Sequence, residues 1–99
     1  MSVDKRITLY DNNGDPRWQT IDTTTSSQQS TAITANRILI TSAVQTHFVA
    51  FGANPSAATT ANTVCIPVGE MMFFDFVPGN KVAVKTLTST GHISISVID

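Results

Sequence analysis

Two histidines and one cysteine are the side chains of this 99-residue chain best suited to hold a metal or attack a substrate. Zinc asks for three or four ligands, usually at short local spacing such as Cys-x-x-Cys or His-x-x-x-His. His47, Cys65 and His92 stand far apart and fall in different predicted strands. His47, beside Phe48 on a half-buried strand, is expected to be structural, and His92, where a turn meets a strand, to be solvated. One route to a metal stays open, since a symmetry axis could gather copies of one histidine. Cys65, inside Val64-Cys65-Ile66, is expected to behave as a small buried hydrophobe, with nothing near it to lower its pKa.

The carboxylates give no pair either. Glu70 and Asp75 are five apart on one predicted strand and so face opposite ways, whereas carboxylate acid–base work needs both groups at one point. Gly52, Gly69, Gly79 and Gly91 each punctuate a turn, and none opens a phosphate-binding helix. No nucleophile–base pair is legible. The reading is therefore a non-enzyme with no catalytic, metal or cofactor-binding residue. Tyr10 and Trp18 are aromatics in a sparsely hydrophobic region, where they either anchor an interface or fold back onto the body. With Ile21, Asn54 and Pro55 they form the expected contact set.

Composition supports contact over catalysis. Charged residues make up 13% of the chain, against roughly 25% in an ordinary soluble domain. Ser, Thr, Ala, Asn and Gln stand where Lys and Glu would normally be. A free monomer gains solubility from surface charge, and a subunit covered by neighbours can do without it. The net charge of −1 provides no basic stripe for nucleic acid and no polybasic patch for a membrane. One cysteine cannot make an intrachain disulfide, which suits a reducing compartment. The start, Met1 to Arg6, has no apolar signal core, and no run approaches the roughly 18 apolar residues of a membrane span. Synthesis and folding in a cytoplasm are expected.

The elements that must position these residues are short strands. Arg6 to Asp11, the turn Asn12-Asn13-Gly14-Asp15 and Arg17 to Ile21 read as a hairpin, with Pro16 at the return strand's entry. Residues 22 to 32 are a polar Thr/Ser/Gln run, expected as a linker or arm. Thr31 to Ala35 is a weak strand candidate, Arg37 to Thr41 a stronger one, and Thr46 to Phe51 follows. Gly52 to Asn62 is a loop of small residues. Thr63 to Val68 and Glu70 to Val77 come next. In the latter, Met72, Phe74 and Phe76 share one side and Met71, Phe73 and Asp75 the other, so cover on both faces is expected. Lys81 to Leu87 alternates with Val82 and Val84 inward. His92 to Asp99 does the same with Ile93, Ile95 and Val97 inward. Such spacing predicts an all-β chain: a small antiparallel β-sandwich, jelly-roll-like or immunoglobulin-like. Residues 1–29 form an N-terminal hairpin and polar arm, and 30–99 the sandwich domain.

From Phe48 to Thr86 a series of motifs, mostly turn chemistry, follow one another. Ala50-Phe51-Gly52 is followed by Asn54-Pro55, Ile66-Pro67-Val68-Gly69, Met72-Phe73-Phe74, Val77-Pro78-Gly79 and Lys81-Val82-Ala83-Val84. This resembles the small all-β virion proteins of tailed bacteriophages, which include capsid decoration (cement) proteins and head-fibre or tail-associated proteins. The Trp18 hairpin and the polar arm lie outside the pattern. The resemblance implies a non-catalytic protein on the exterior of an icosahedral head, bound to the major capsid protein. It also implies a symmetric homo-oligomer, a trimer being favoured. A tail, baseplate or fibre component with carbohydrate binding is the alternative. A small enzyme and a single-strand nucleic-acid module rank lower, because Arg37, Lys81 and Lys85 are too few for the second.

Overall fold

The computed structural model describes residues 17–58 and 63–98. Among them the chain forms eight strands and no helix. These are β1 (Trp18–Thr23), β2 (Gln28–Gln29), β3 (Arg37–Ala43), β4 (His47–Gly52), β5 (Val64–Ile66), β6 (Met71–Asp75), β7 (Lys81–Thr86) and β8 (Gly91–Val97). Two four-stranded sheets result, in the order β1-β8-β3-β6 and β2-β7-β4-β5. All pairings are antiparallel. The ladders β1–β8, β2–β7, β3–β6 and β4–β5 nest like one long hairpin with β4–β5 at its tip, and β3–β8 and β4–β7 close the sheets. The molecule is thus a small antiparallel β-sandwich, and of the two expected topologies it has the jelly-roll one.

Period-two alternation builds the core between the sheets. Ile38, Ile40, Ile93, Ile95 and Val97 enter it from the first sheet, and Val49, Ile66, Val82 and Val84 from the second. Phe51 of β4 packs tilted on Phe74 of β6 at 5.0 Å between ring centres. It also meets Phe76 edge-on at 5.9 Å, joining the two sheets through aromatic contacts.

Register fixes which connections share an end. Thr23 pairs with Gly91, Ala43 with His92, and Thr41 with Met71. Connections 24–27, 44–46, 67–70 and 87–90 therefore lie together, at what we call the near end. Connections 30–36 and 76–80 lie at the far end. There Val77-Pro78-Gly79-Asn80 turns with Gly79 at φ 93° and Asn80 N–H donating to Val77 C=O at 3.1 Å, the pattern of a type II turn.

Several expectations need correction. Thr31 to Ala35 is an irregular connection instead of a strand: Ile33 N–H donates to Asn80 C=O and Gly79 N–H to Ile33 C=O. Its buried Ile33 and Ala35 plug the far end of the core. The polar run is also more ordered than a linker. Asp22 and Thr23 complete β1 against β8, and Gln28 and Gln29 form β2 against β7. Backbone pairing holds these residues, and it needs no apolar side chain. The return strand of the expected hairpin is β1, whereas Arg6 to Asp11 and its turn lie outside the described residues. On β6, cover is good on one side only: Met71 and Phe73 are each 56% exposed. The outer face of the second sheet is capped by residues 53–58, whose Ala57 packs on Ala50 and Ala83.

Candidate functional site

At the near end the sandwich carries a buried polar cluster where a hydrophobic plug would be the simpler solution. Thr23 ends β1, Ser42 lies near the end of β3, His47 begins β4 and Thr86 ends β7. His47 is fully buried, and Thr23 and Ser42 are each 1% exposed. The imidazole stands on the second sheet and reaches the first. Its Nε2 lies 2.6 Å from Thr23 Oγ1 and its Nδ1 2.7 Å from Ser42 Oγ.

Proton counting selects one tautomer. Ser42 Oγ–H donates to Gln45 C=O at 2.8 Å, so Ser42 must accept from His47 Nδ1–H. Nε2 is then unprotonated and accepts from the Thr23 hydroxyl. The neutral imidazole completes the chain with every proton placed. Burial holds the His47 pKa below its ordinary value of 6.5; the Gln45 carbonyl opposes that and the nearby His92 reinforces it. Among the described residues no buried side-chain nitrogen or oxygen lacks a partner.

Gly91 makes room for this histidine. A Cβ there would meet Ala43 O at 3.1 Å, Gln45 Cβ at 3.1 Å and His47 Nε2 at 3.2 Å. The cluster in turn fixes the 44–46 connection. Gln45 N–H donates back to Ala43 C=O at 2.8 Å, and Val44 between them has φ 71°. That is the γ-turn with positive φ at its centre, a rare and strained form, here with a β-branched residue at the apex.

A serine hydroxyl against an imidazole suggests nucleophile chemistry, a pairing that the sequence alone does not disclose. The geometry denies it a substrate. Ser42 spends its proton on Gln45, and both groups are sealed from solvent. Their work is to join the sheets and hold the turn.

The expected contact residues do not gather in one place. Trp18 and Ile21 sit on opposite faces of β1: Trp18 is 37% exposed on the outside, while Ile21 packs inward on the core. Trp18 borders a cleft of about 280 Å³ lined by the polar Gln19, Thr31 and Thr34 and by the apolar Ile33, Ile95 and Val97. Asn54 and Pro55 lie over the other sheet, where Gln29 Nε2 donates to Asn54 Oδ1 and to Pro55 C=O, both at 2.8 Å. Asn54 is exposed and Pro55 buried. Tyr10 lies outside the described residues.

His92 is exposed, as expected. Cys65 is exposed too, contrary to the expected burial: β5 is an edge strand, only Ile66 is buried in it, and Cys65 faces outward. Glu70 and Asp75 stand apart, Asp75 lying 3.8 Å from Arg37 across the β3–β6 ladder. Among the described residues no group of three His, Cys, Asp or Glu side chains is placed to share a metal ion. No helix among them is long and apolar enough to cross a membrane. No protein-family model, curated protein or solved structure matches the chain.

Proposed function

We propose that the chain is a non-catalytic subunit of a larger protein assembly, specifically a decoration protein on the exterior of a phage head that stabilises neighbouring capsid subunits. Jelly rolls serve capsids, lectins and cupins alike, so the fold alone does not choose. One observation carries the reading. Large apolar side chains are exposed on β5, β6 and several connections, among them Val64, Val68, Met71, Phe73, Val77 and Leu87, on a chain with only 13% charged residues. Single exposed hydrophobics are ordinary. Many of them, with so few charges between, suit surfaces that neighbouring polypeptides cover. Each copy would add modest binding energy, and engagement of several capsid subunits at once would raise the effective affinity.

The decisive experiment is imaging of the particle. Density for this chain on the outside of the head supports the proposal, and absence from the particle overturns it. Trp18, a partly exposed aromatic on the outer face of β1, is the one feature that favours a second reading, a tail or fibre component that binds carbohydrate. Density on the tail, with a glycan-array signal lost in Trp18→Ala, would move the assignment there.

A further inference from the structure

Protonation of His47 would disturb its two hydrogen bonds unequally. On the Ser42 side nothing need change: Nδ1–H goes on donating to Ser42 Oγ, which goes on donating to Gln45 C=O. On the Thr23 side a new Nε2–H meets the hydroxyl proton across 2.6 Å. Thr23 Oγ1 must turn to accept, and its own proton loses the acceptor it had. The added charge is buried, and both ring nitrogens face hydroxyls instead of a carboxylate. A buried charge without a counter-ion is unstable.

The surrounding elements do not supply one. His92 on β8 acts on the ring, and as a cation it repels another. Asp22 of β1 and Glu70 of the 67–70 connection are exposed, and Asp22 points outward because Thr23 beside it points in. Cys65 of β5 and Lys85 of β7 lie on the outer face of the second sheet for the same reason, beside buried Ile66 and Thr86. Thr41 to Ala43 and the 44–46 and 87–90 connections hold no titrating side chain.

Strand order decides which side yields. Ser42 lies on β3, which has β8 on one side and β6 on the other. Thr23 is the last residue of β1, an edge strand paired with β8 alone. The exposed residues 24–27 follow it. Thr24 C=O accepts from Thr86 N–H at 2.9 Å, and Ser27 Oγ is tied down by Ala57 N–H at 2.9 Å. Between the ring and Ser27 the chain is thus lightly held.

We propose that His47 is an acid-operated latch: when its ring gains a proton, Thr23 to Ser26 lift from the second sheet while the rest of the sandwich stays folded. Water then reaches the ring and hydrates its charge. The latch belongs to the fold and does not depend on the assembly reading.

Amide exchange of the full-length chain, followed by NMR, tests it. Burial holds His47 below its ordinary value in the closed form, so acid favours the open form below about pH 6.5. Thr86 N–H, whose acceptor is Thr24 C=O, reports the opening. Its protection factor should fall by up to about thirtyfold from pH 8 to pH 5. Dilute urea should leave that exchange unchanged, because a local opening exposes little surface. Ser42 N–H on Glu70 C=O and Ile33 N–H on Asn80 C=O should stay better protected at both pH values and speed up in urea. His47→Gln offers a donor and an acceptor but no titration, and should keep Thr86 protected at pH 5. A change in Thr86 protection of less than about twofold would overturn the latch. So would a urea-driven fall shared equally by Thr86 and Ile33, since acid would then act by unfolding the whole sandwich. A fall that persists in a folded His47→Gln would assign the opening to another group and overturn it too. If His47→Gln does not fold, the wild-type comparison of Thr86 with Ser42 and Ile33 decides alone.

Discussion

The two ends of the sandwich face one problem, tying one sheet to the other, and solve it with different materials. At the far end Ile33 and Ala35 fill the mouth of the core, and Arg37 and Asp75 at the strand termini meet solvent. At the near end His47 bridges to Thr23 and Ser42, and apolar side chains point out. Burial at the far end is non-directional and tolerates small shifts. Hydrogen bonds at the near end demand particular atoms at particular distances. An apolar plug therefore confers stability, whereas a polar pin confers geometry. That geometry is spent on the Val44 turn.

Replacing the plug should have the largest effect. Ile33→Ala deletes buried apolar volume and is expected to cost about 2–5 kcal/mol. Melting temperature would fall by roughly 4–8 °C for each of those in a domain this small. The loss should be the same at pH 5 and pH 8, because no titrating group is involved.

Replacing the pin should cost less and change character with pH. His47→Leu leaves the Thr23 and Ser42 hydroxyls without their partner and should cost about 1–3 kcal/mol at pH 8. The sign of the pH dependence follows from linkage. Burial lowers the folded-state pKa of His47, so below about 6.5 the unfolded chain binds more protons than the folded one. Stability is therefore fully present above the unfolded value and declines as pH falls through it, levelling off below the folded pKa. Thermal melts from pH 8 to pH 5 should show that decline in wild type and Ile33→Ala, and its loss in His47→Leu. A pH profile unchanged by His47→Leu would show that the pin does not titrate.

Much of the fold was legible because side-chain period reports directly on face. Ile93, Ile95 and Val97 alternate with Ser94 and Ser96, and the structure buries the first three. What escaped was held by other means. Gln28 and Gln29 pair with β7 through the backbone, which leaves no trace in hydropathy. Ile33 reads like a strand residue but serves as a plug. Cys65 has apolar neighbours on both sides, and its exposure follows from the edge position of β5, which one sequence does not disclose. The pin was hidden by distance: Thr23 is 24 residues from His47. Val44 gave no signal at all, since nothing about valine predicts a positive φ.

A smaller effect sharpens the link between pin and turn. Gly91→Ala places a methyl group against Ala43 O, Gln45 Cβ and His47 Nε2, and should cost about 1 kcal/mol as those neighbours give way. The yielding atoms belong to the pin and the turn, so His47 ring resonances in the NMR spectrum should shift more than those of Phe51 in the core. Equal shifts in both would mean that the strain spreads and that the near end is not a separate unit.

The smallest effect belongs to the far end's charged pair. Arg37 Nε lies 3.8 Å from Asp75 Oδ1, with both side chains largely in water. An exposed pair at that distance gains little Coulomb energy, and ordering two mobile side chains offsets much of it. Arg37→Gln should leave the melting temperature unchanged in 0.15 M salt and nearly so in low salt. If it lowered stability as much as Gly91→Ala does, the far end would depend on specific polar contacts as the near end does. Plug and pin would then no longer describe two different ways of closing the same sandwich.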